Sequence, residues 1–150
     1  MNFKKRFIIA EAGNNHEGSL KFAKKLIINA KKAGANAVKF QFIRPEFFIS
    51  QNDTERYNQL KKYQFDEIKM SRLFEYSKRI KFEMFATPFD VDGAKFLNRY
   101  QKIFKISSGD NNFFDLMEVV RGFKKPTIVS LGMADKKLLK EIINFFHKKT

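Results

Sequence analysis

A (β/α) barrel of the TIM type is the fold this 150-residue sequence predicts, with about its first five β/α units supplied here. Three observations lead there. Short apolar runs alternate with amphipathic segments five times, which argues for a parallel sheet with helices outside it. The first turn reads G-N-N-H-E-G from Gly13 to Gly18, whereas a doubly wound sheet usually carries G-x-G-x-x-G at that place. Polar residues also gather at the carboxyl ends of the apolar runs, where barrels hold their active sites.

The elements follow in order. Phe7 to Ala12 is the first strand, and Ser19 caps a helix in which Phe22, Ala23, Leu26, Ile27, Ala30 and Ala33 recur at helical spacing. Gly34 stops it. Ala37 to Phe42 is the second strand. Residues 43 to 64 form a long polar and aromatic connection, with a short helix around Arg56 to Tyr63; connections of this length usually carry function or structure of their own. Asp66 to Arg79 is the second main helix, Phe82 to Ala86 the third strand, and Asp90 caps a helix running to about Tyr100. Ile103 to Ser107 is the fourth strand, Asn112 to Gly122 a helix, and Pro126 opens the fifth strand, as proline is allowed to do at a first strand position. Asp135 to His147 is the last helix.

Composition narrows the function. A hydrophobic fraction of 43% with 15% aromatics is that of a globular chain. Cysteine is absent, so there is no disulfide framework and no thiolate metal site, in keeping with a reducing, cytoplasmic setting. The apolar run after the basic segment Met1 to Arg6 meets Glu11 too soon for a signal-peptide core, and no stretch reaches the roughly 20 residues of a membrane helix. The net charge of +14 comes from lysines and arginines spread over helix faces, as at Lys21, Lys24, Lys25, Lys31 and Lys32. Solvated faces account for it, no nucleic-acid motif accompanies it, and the field favours an anionic ligand only weakly.

The strand ends carry the candidate site. Glu11 ends the first strand, and Lys39 and Gln41 share one face of the second, opposite Val38, Phe40 and Phe42. Thr87 follows the third strand. Lys105 interrupts the fourth, followed by Ser107, Ser108, Gly109 and Asp110, and Ser130 ends the fifth. A strand-end serine or a snorkelling lysine is ordinary taken singly. Two lysines inside apolar strands need partners: Glu11 could pair with one, and an anionic ligand with both. Such a set suits a small substrate bearing phosphate and carboxylate groups. His16 lies in the first loop, more readily a loop residue than a lining of the site mouth, and His147 is expected to be solvated; neither has metal-ligand spacing to a partner.

Five segments resemble a known family. Ile8 to Leu20 (IIAEAGNNHEGSL) is similar to the opening of the N-acetylneuraminate (sialic acid) synthases and their legionaminic and pseudaminic acid relatives. So are Ala30 to Gln41 (AKKAGANAVKFQ), Ala86 to Asp90 (ATPFD), Phe104 to Asp110 (FKISSGD) and Lys125 to Ala134 (KPTIVSLGMA), in the family's order. The resemblance implies condensation of phosphoenolpyruvate with an N-acetylmannosamine-type sugar to a nonulosonic acid. It implies that Lys39, Thr87, Lys105 and Ser130 hold phosphoenolpyruvate, that Gln41 contacts the sugar, with Ser108 and Asp110 beside it, and that Glu11 is the active-site carboxylate. A divalent metal, Mn2+ or Mg2+, is implied with ligands outside this chain. Two positions depart from the pattern: Leu131 where the family commonly has Thr, and Asp110 where it commonly has Glu. The family continues through three further β/α units and an antifreeze-like domain. Residues 1–150 are therefore expected to be the amino-terminal part of one barrel, competent only with the missing carboxyl-terminal half, and to form a homodimer or associate with that half. The alternatives are an inactive or split-enzyme fragment that only binds phosphoenolpyruvate, and a related phosphoenolpyruvate-dependent sugar-acid synthase or aldolase.

Overall fold

A computed structural model describes residues 6–147; most of the basic amino-terminal segment lies outside them. Five parallel strands alternate with helices: β1 (Ile9–Gly13), α1 (Leu20–Lys32), β2 (Ala37–Phe42), α2 (Pro45–Phe48), α3 (Thr54–Tyr63), α4 (Glu67–Arg79), β3 (Glu83–Pro88), α5 (Val91–Leu97), β4 (Phe104–Ile106), α6 (Phe114–Gly122), β5 (Thr127–Val129) and α7 (Lys136–His147). The helix starts are local chemistry. Ser19, Asp53, Asp66 and Asp90 each accept a backbone N–H from the first turn of α1, α3, α4 and α5.

Each strand divides its side chains between two apolar environments. Val38, Phe40, Phe42, Met84, Ala86, Phe104 and Ile106 face the helices, joining Ile27, Met70, Leu73, Leu97 and Leu116 in the main core. The alternate positions Ala37, Phe85 and Ile103 pack with Ile9 and Ile128 on the other side of the sheet. That second cluster is the interior of a barrel, where inward residues from successive strands stack in layers. The next inward residue along each strand is polar: Glu11, Lys39, Thr87, Lys105 and Ser130.

The ladder is not continuous. β1, β2 and β3 form one hydrogen-bonded sheet and β4 and β5 another. Between β3 and β4 the Gln101 side chain accepts the Ala86 N–H at 2.8 Å, replacing a ladder bond with a side-chain one. Lys125 Nζ donates to the carbonyls of Asn98 and Gln101, at 2.6 and 2.8 Å, and ties the same loop to the start of β5.

Boundaries moved where propensity and burial disagree. β1 starts at Ile9 rather than Phe7, and Phe7 and Ile8 are exposed. Thr87 lies within β3 instead of after it. The helix expected to run to Tyr100 ends at Leu97, and β5 is three residues long, with Pro126 just outside. The connection after β2 holds two helices, the first opened by Pro45, as proline at a first helical position allows.

Candidate functional site

Glu11 and Lys39 are partners in the β1–β2 register, and Gln41 and Thr87 in the β2–β3 register. Register therefore places a carboxylate, an ammonium, an amide and a hydroxyl at one end of the sheet. Lys39 Nζ lies 2.7 Å from Glu11 Oε2 and donates to Thr87 Oγ1 at 3.2 Å. The two partners differ in exposure: Lys39 is 9% exposed, whereas the Glu11 side chain is 56% exposed. The cation is thus held from below and its counter-ion opens to solvent. The β1–β2 ladder shifts register between Glu11 and Gly13, and Gly13 pairs with Phe40. Gly13 is in the left-handed region, φ +52°, with the Glu11 and Gln41 side-chain oxygens close to where a Cβ would stand.

Lys105 joins from β4. Its ammonium donates to the Ile106 carbonyl at 2.6 Å and sits close enough to Lys39 to feel its charge. Burial first, and then the Lys39 cation, hold the Lys105 pKa below its ordinary value of 10.5. Asp110, at the end of the 3-10 turn Ser108–Asp110, is pushed the other way: burial raises its pKa from 3.8, against the opposing pull of Ser107 and Lys105. Its Oδ2 is buried without a partner. Two cations close enough to disfavour one another are the arrangement that a multiply charged anion would relieve.

Ser130 follows β5, its N–H on the Ile106 carbonyl at 3.1 Å and its carbonyl accepting from Asn111 at 3.4 Å. Ser108 lies against Gly132 across the same end of the β4–β5 pair. Leu131 is exposed beside them. All eight residues picked out in the sequence therefore lie at the carboxyl ends of the strands. Lys39, Glu11 and Thr87 touch directly, Lys105 couples to Lys39 and Glu11 through charge, and Asp110 couples to Lys105.

His16 does not line the mouth. It is 1% exposed, with its ring 3.9 Å from that of Phe65 and 6.0 Å from that of Phe40, and Nδ1 accepts the Gly18 N–H at 3.1 Å. Burial and the nearby Lys69 cation lower its pKa to about 4. Asn14, Gln41, Ile43, Leu60, Tyr63, Gln64 and Phe65 line a tight crevice with no room for a water molecule. The sequence pointed to Gln41 alone in this group; Tyr63 and Gln64 sit in the connection, where no period marks them.

Residues 26–150 match the NeuB family. The chain belongs to that family. A pseudaminic acid synthase of Campylobacter jejuni is 36% identical, over 95% of this chain and 46% of its own length. An uncharacterised protein of Methanocaldococcus jannaschii is 42% identical, over 86% and 38%. Among solved structures, the N-acetylneuraminic acid (sialic acid) synthetase of Leptospira borgpetersenii, crystallised with citrate, superposes with a TM-score of 0.88 at 35% identity, covering 93% of this chain and 49% of that one. A truncated 3-deoxy-D-arabino-heptulosonate 7-phosphate synthase of Thermotoga maritima, 11% identical with a TM-score of 0.68, shares the fold. This NeuB-family chain is accordingly a (β/α)-barrel chain with five β/α units, and it spans less than half the length of those two curated relatives. No group of three or more His, Cys, Asp or Glu side chains that could hold a metal occurs among the described residues. Nor is any helix among them long and apolar enough to cross a membrane.

Proposed function

We propose that residues 1–150 form the amino-terminal part of a cytoplasmic nonulosonic acid synthase barrel and hold phosphoenolpyruvate for condensation with an N-acetylmannosamine-type sugar. The observation that carries this reading is the buried Lys39 ammonium, shared between Glu11 and Thr87, with the Lys105 cation beside it. Phosphate and carboxylate groups on one small molecule would satisfy both cations, and Thr87 and Ser130 would add hydroxyl donors. Gln41, at the next inward position of β2, would meet the sugar, and Ser108 and Asp110 would belong to the substrate site.

The chemistry fits this set. Carbon 3 of the enol attacks the sugar aldehyde, a C–C bond forms, and the aldehyde oxygen takes up a proton. Carbon 2 is left with positive character and is trapped by water, which Glu11 orients and deprotonates; inorganic phosphate then leaves from carbon 2 to give the keto acid. The lysines neutralise charge that is present throughout and hold the enol in place. The divalent cation that the family resemblance implies would polarise the aldehyde.

Calorimetry on the chain tests the clamp. Phosphoenolpyruvate binding by the wild type, lost in Lys39→Ala, supports it; equal binding by both sinks it. Phosphate release on adding a matching carboxyl-terminal half, and none without it, would establish condensation. Binding with no phosphate release under any pairing would favour the second reading, a chain that only binds phosphoenolpyruvate.

A further inference from the structure

Arg44 stands just beyond β2 and Asp90 just beyond β3, each next to a strand end that carries a site residue. The two side chains meet edge to edge: Arg44 Nε donates to Asp90 Oδ2 at 3.1 Å and its terminal NH2 donates to Oδ1. Asp90 is buried, and its Oδ1 also accepts the Gly93 N–H at 2.6 Å, capping α5. Capping needs only one acceptor oxygen, which serine or asparagine would supply as well. The second oxygen and the charge serve Arg44.

Arg44 in turn holds the long connection. Its guanidinium lies 4.5 Å from the Phe47 ring centroid, and Phe48 packs edge-on against Phe89 at 4.9 Å. Ile43, Leu60 and Phe89 make a small cluster separate from the main core, with Ile49 against it. Lys61 reaches Glu46 at 3.6 Å, joining α3 to α2. So α2 and α3 sit on the end of β3 through one apolar cluster and the ion pairs of Arg44, chiefly with Asp90 and more loosely with Asp92 at 3.7 Å. α3 supplies Leu60 and Tyr63 to the wall of the crevice that contains Gln41.

We propose that Arg44 and Asp90 are positioning residues for the sugar end of the site. The pair fixes the 43–65 connection against β3, sets the wall facing Gln41, and so governs sugar affinity while leaving the phosphoenolpyruvate clamp alone. This rests on the reading of Gln41 as the sugar contact.

Hydrogen exchange on the whole chain, resolved by residue, tests the mechanical part. Asp90→Asn keeps the oxygen that caps α5 and removes the charge; Arg44→Gln removes the other partner. Each single variant should speed exchange across α3 by about tenfold or more, the double variant no further, with α1 and α4 unchanged. Arg44→Lys should recover only part of the protection, because one ammonium cannot span both oxygens as a guanidinium does. Unchanged exchange in α3, or acceleration spread equally over α1 and α4, overturns the proposal. Phosphoenolpyruvate affinity by calorimetry should stay within about twofold of wild type in every variant, and a parallel loss overturns the selective role. If no form binds phosphoenolpyruvate, the clamp reading fails while the exchange result still judges the latch. With a carboxyl-terminal half added, Asp90→Asn should raise the KM for the sugar about tenfold and leave that for phosphoenolpyruvate unchanged; an equal rise in both overturns the assignment.

Discussion

Lys39 has a buried stem and one open counter-ion, and that asymmetry separates its part in stability from its part in binding. Glu11 reaches solvent, so removing the lysine leaves no buried carboxylate unpaired. Lys39→Ala should shift the melting temperature little. It should weaken phosphoenolpyruvate binding about 10- to 100-fold, the range for one lost charge-assisted hydrogen bond. Lys105 adds a pH signature. With its pKa held below 10.5 by burial and Lys39, its proton is lost earlier than from an ordinary lysine. Phosphoenolpyruvate affinity, followed by calorimetry against pH, should therefore begin to fall on the alkaline side before the ordinary lysine range, and Lys105→Arg should move that limb upward. His16 affects stability instead. In the folded chain it stays neutral down to about 4, whereas the unfolded chain takes up the proton near 6.5. The unfolded state then binds more protons between those values, so stability is fully present above about 6.5 and is lost as pH falls toward 4. Chemical denaturation at pH 7 and pH 5 should show this loss, and His16→Phe should flatten it; a loss of the same size in the variant would mean another group is responsible.

At the scale of elements, the loop after β1 and the connection after β2 are fitted to one another. Gly18 has φ +78°, and a Cβ placed there would stand 2.4 Å from the Lys62 carbonyl oxygen. Backbone is the obstacle, so no rotamer change relieves it. Gly18→Ala should destabilise the chain by about 1–3 kcal/mol, measured by urea unfolding, and loosen α3 in particular. What could be read in advance follows the same division. β2 matches residue for residue, because Val38, Phe40 and Phe42 alternate with Lys39 and Gln41. The caps Ser19 and Asp90 were legible because an N-cap is a local hydrogen bond. Lys39 and Gln41 were legible because strand phase fixes direction. Phe7 and Ile8 misled, since apolar composition does not say which residues find a partner. The β3–β4 gap bridged by Gln101, the Arg44–Asp90 pair and the seat of α3 on Gly18 are contacts between segments 15 to 46 residues apart. No local period encodes them.

The whole molecule sets a charge of +14 against two open sheet margins. Among the described residues β1 pairs only with β2, and β5 only with β4. All of β5 is half-buried, Ile8 beside β1 is 58% exposed, and Met133 beyond β5 is 77% exposed. Unpaired strand edges with apolar neighbours recruit other strands, whether from a carboxyl-terminal barrel half or from a second copy. Like charge opposes meeting of two copies at low ionic strength, and salt removes that opposition within a Debye length of about 10 Å at 0.1 M. Self-association of the chain, followed by sedimentation, should therefore strengthen as salt is raised. Nucleic-acid binding would weaken over the same range, so one titration separates an edge-driven partner from a charge-driven one. Ile8→Lys with Met133→Lys places a cation at each margin without touching Lys39, Lys105 or the core, and should leave a monomer at every salt concentration. A wild-type chain that is monomeric throughout, or a variant that associates as strongly as wild type, would show that these margins are not where partners dock.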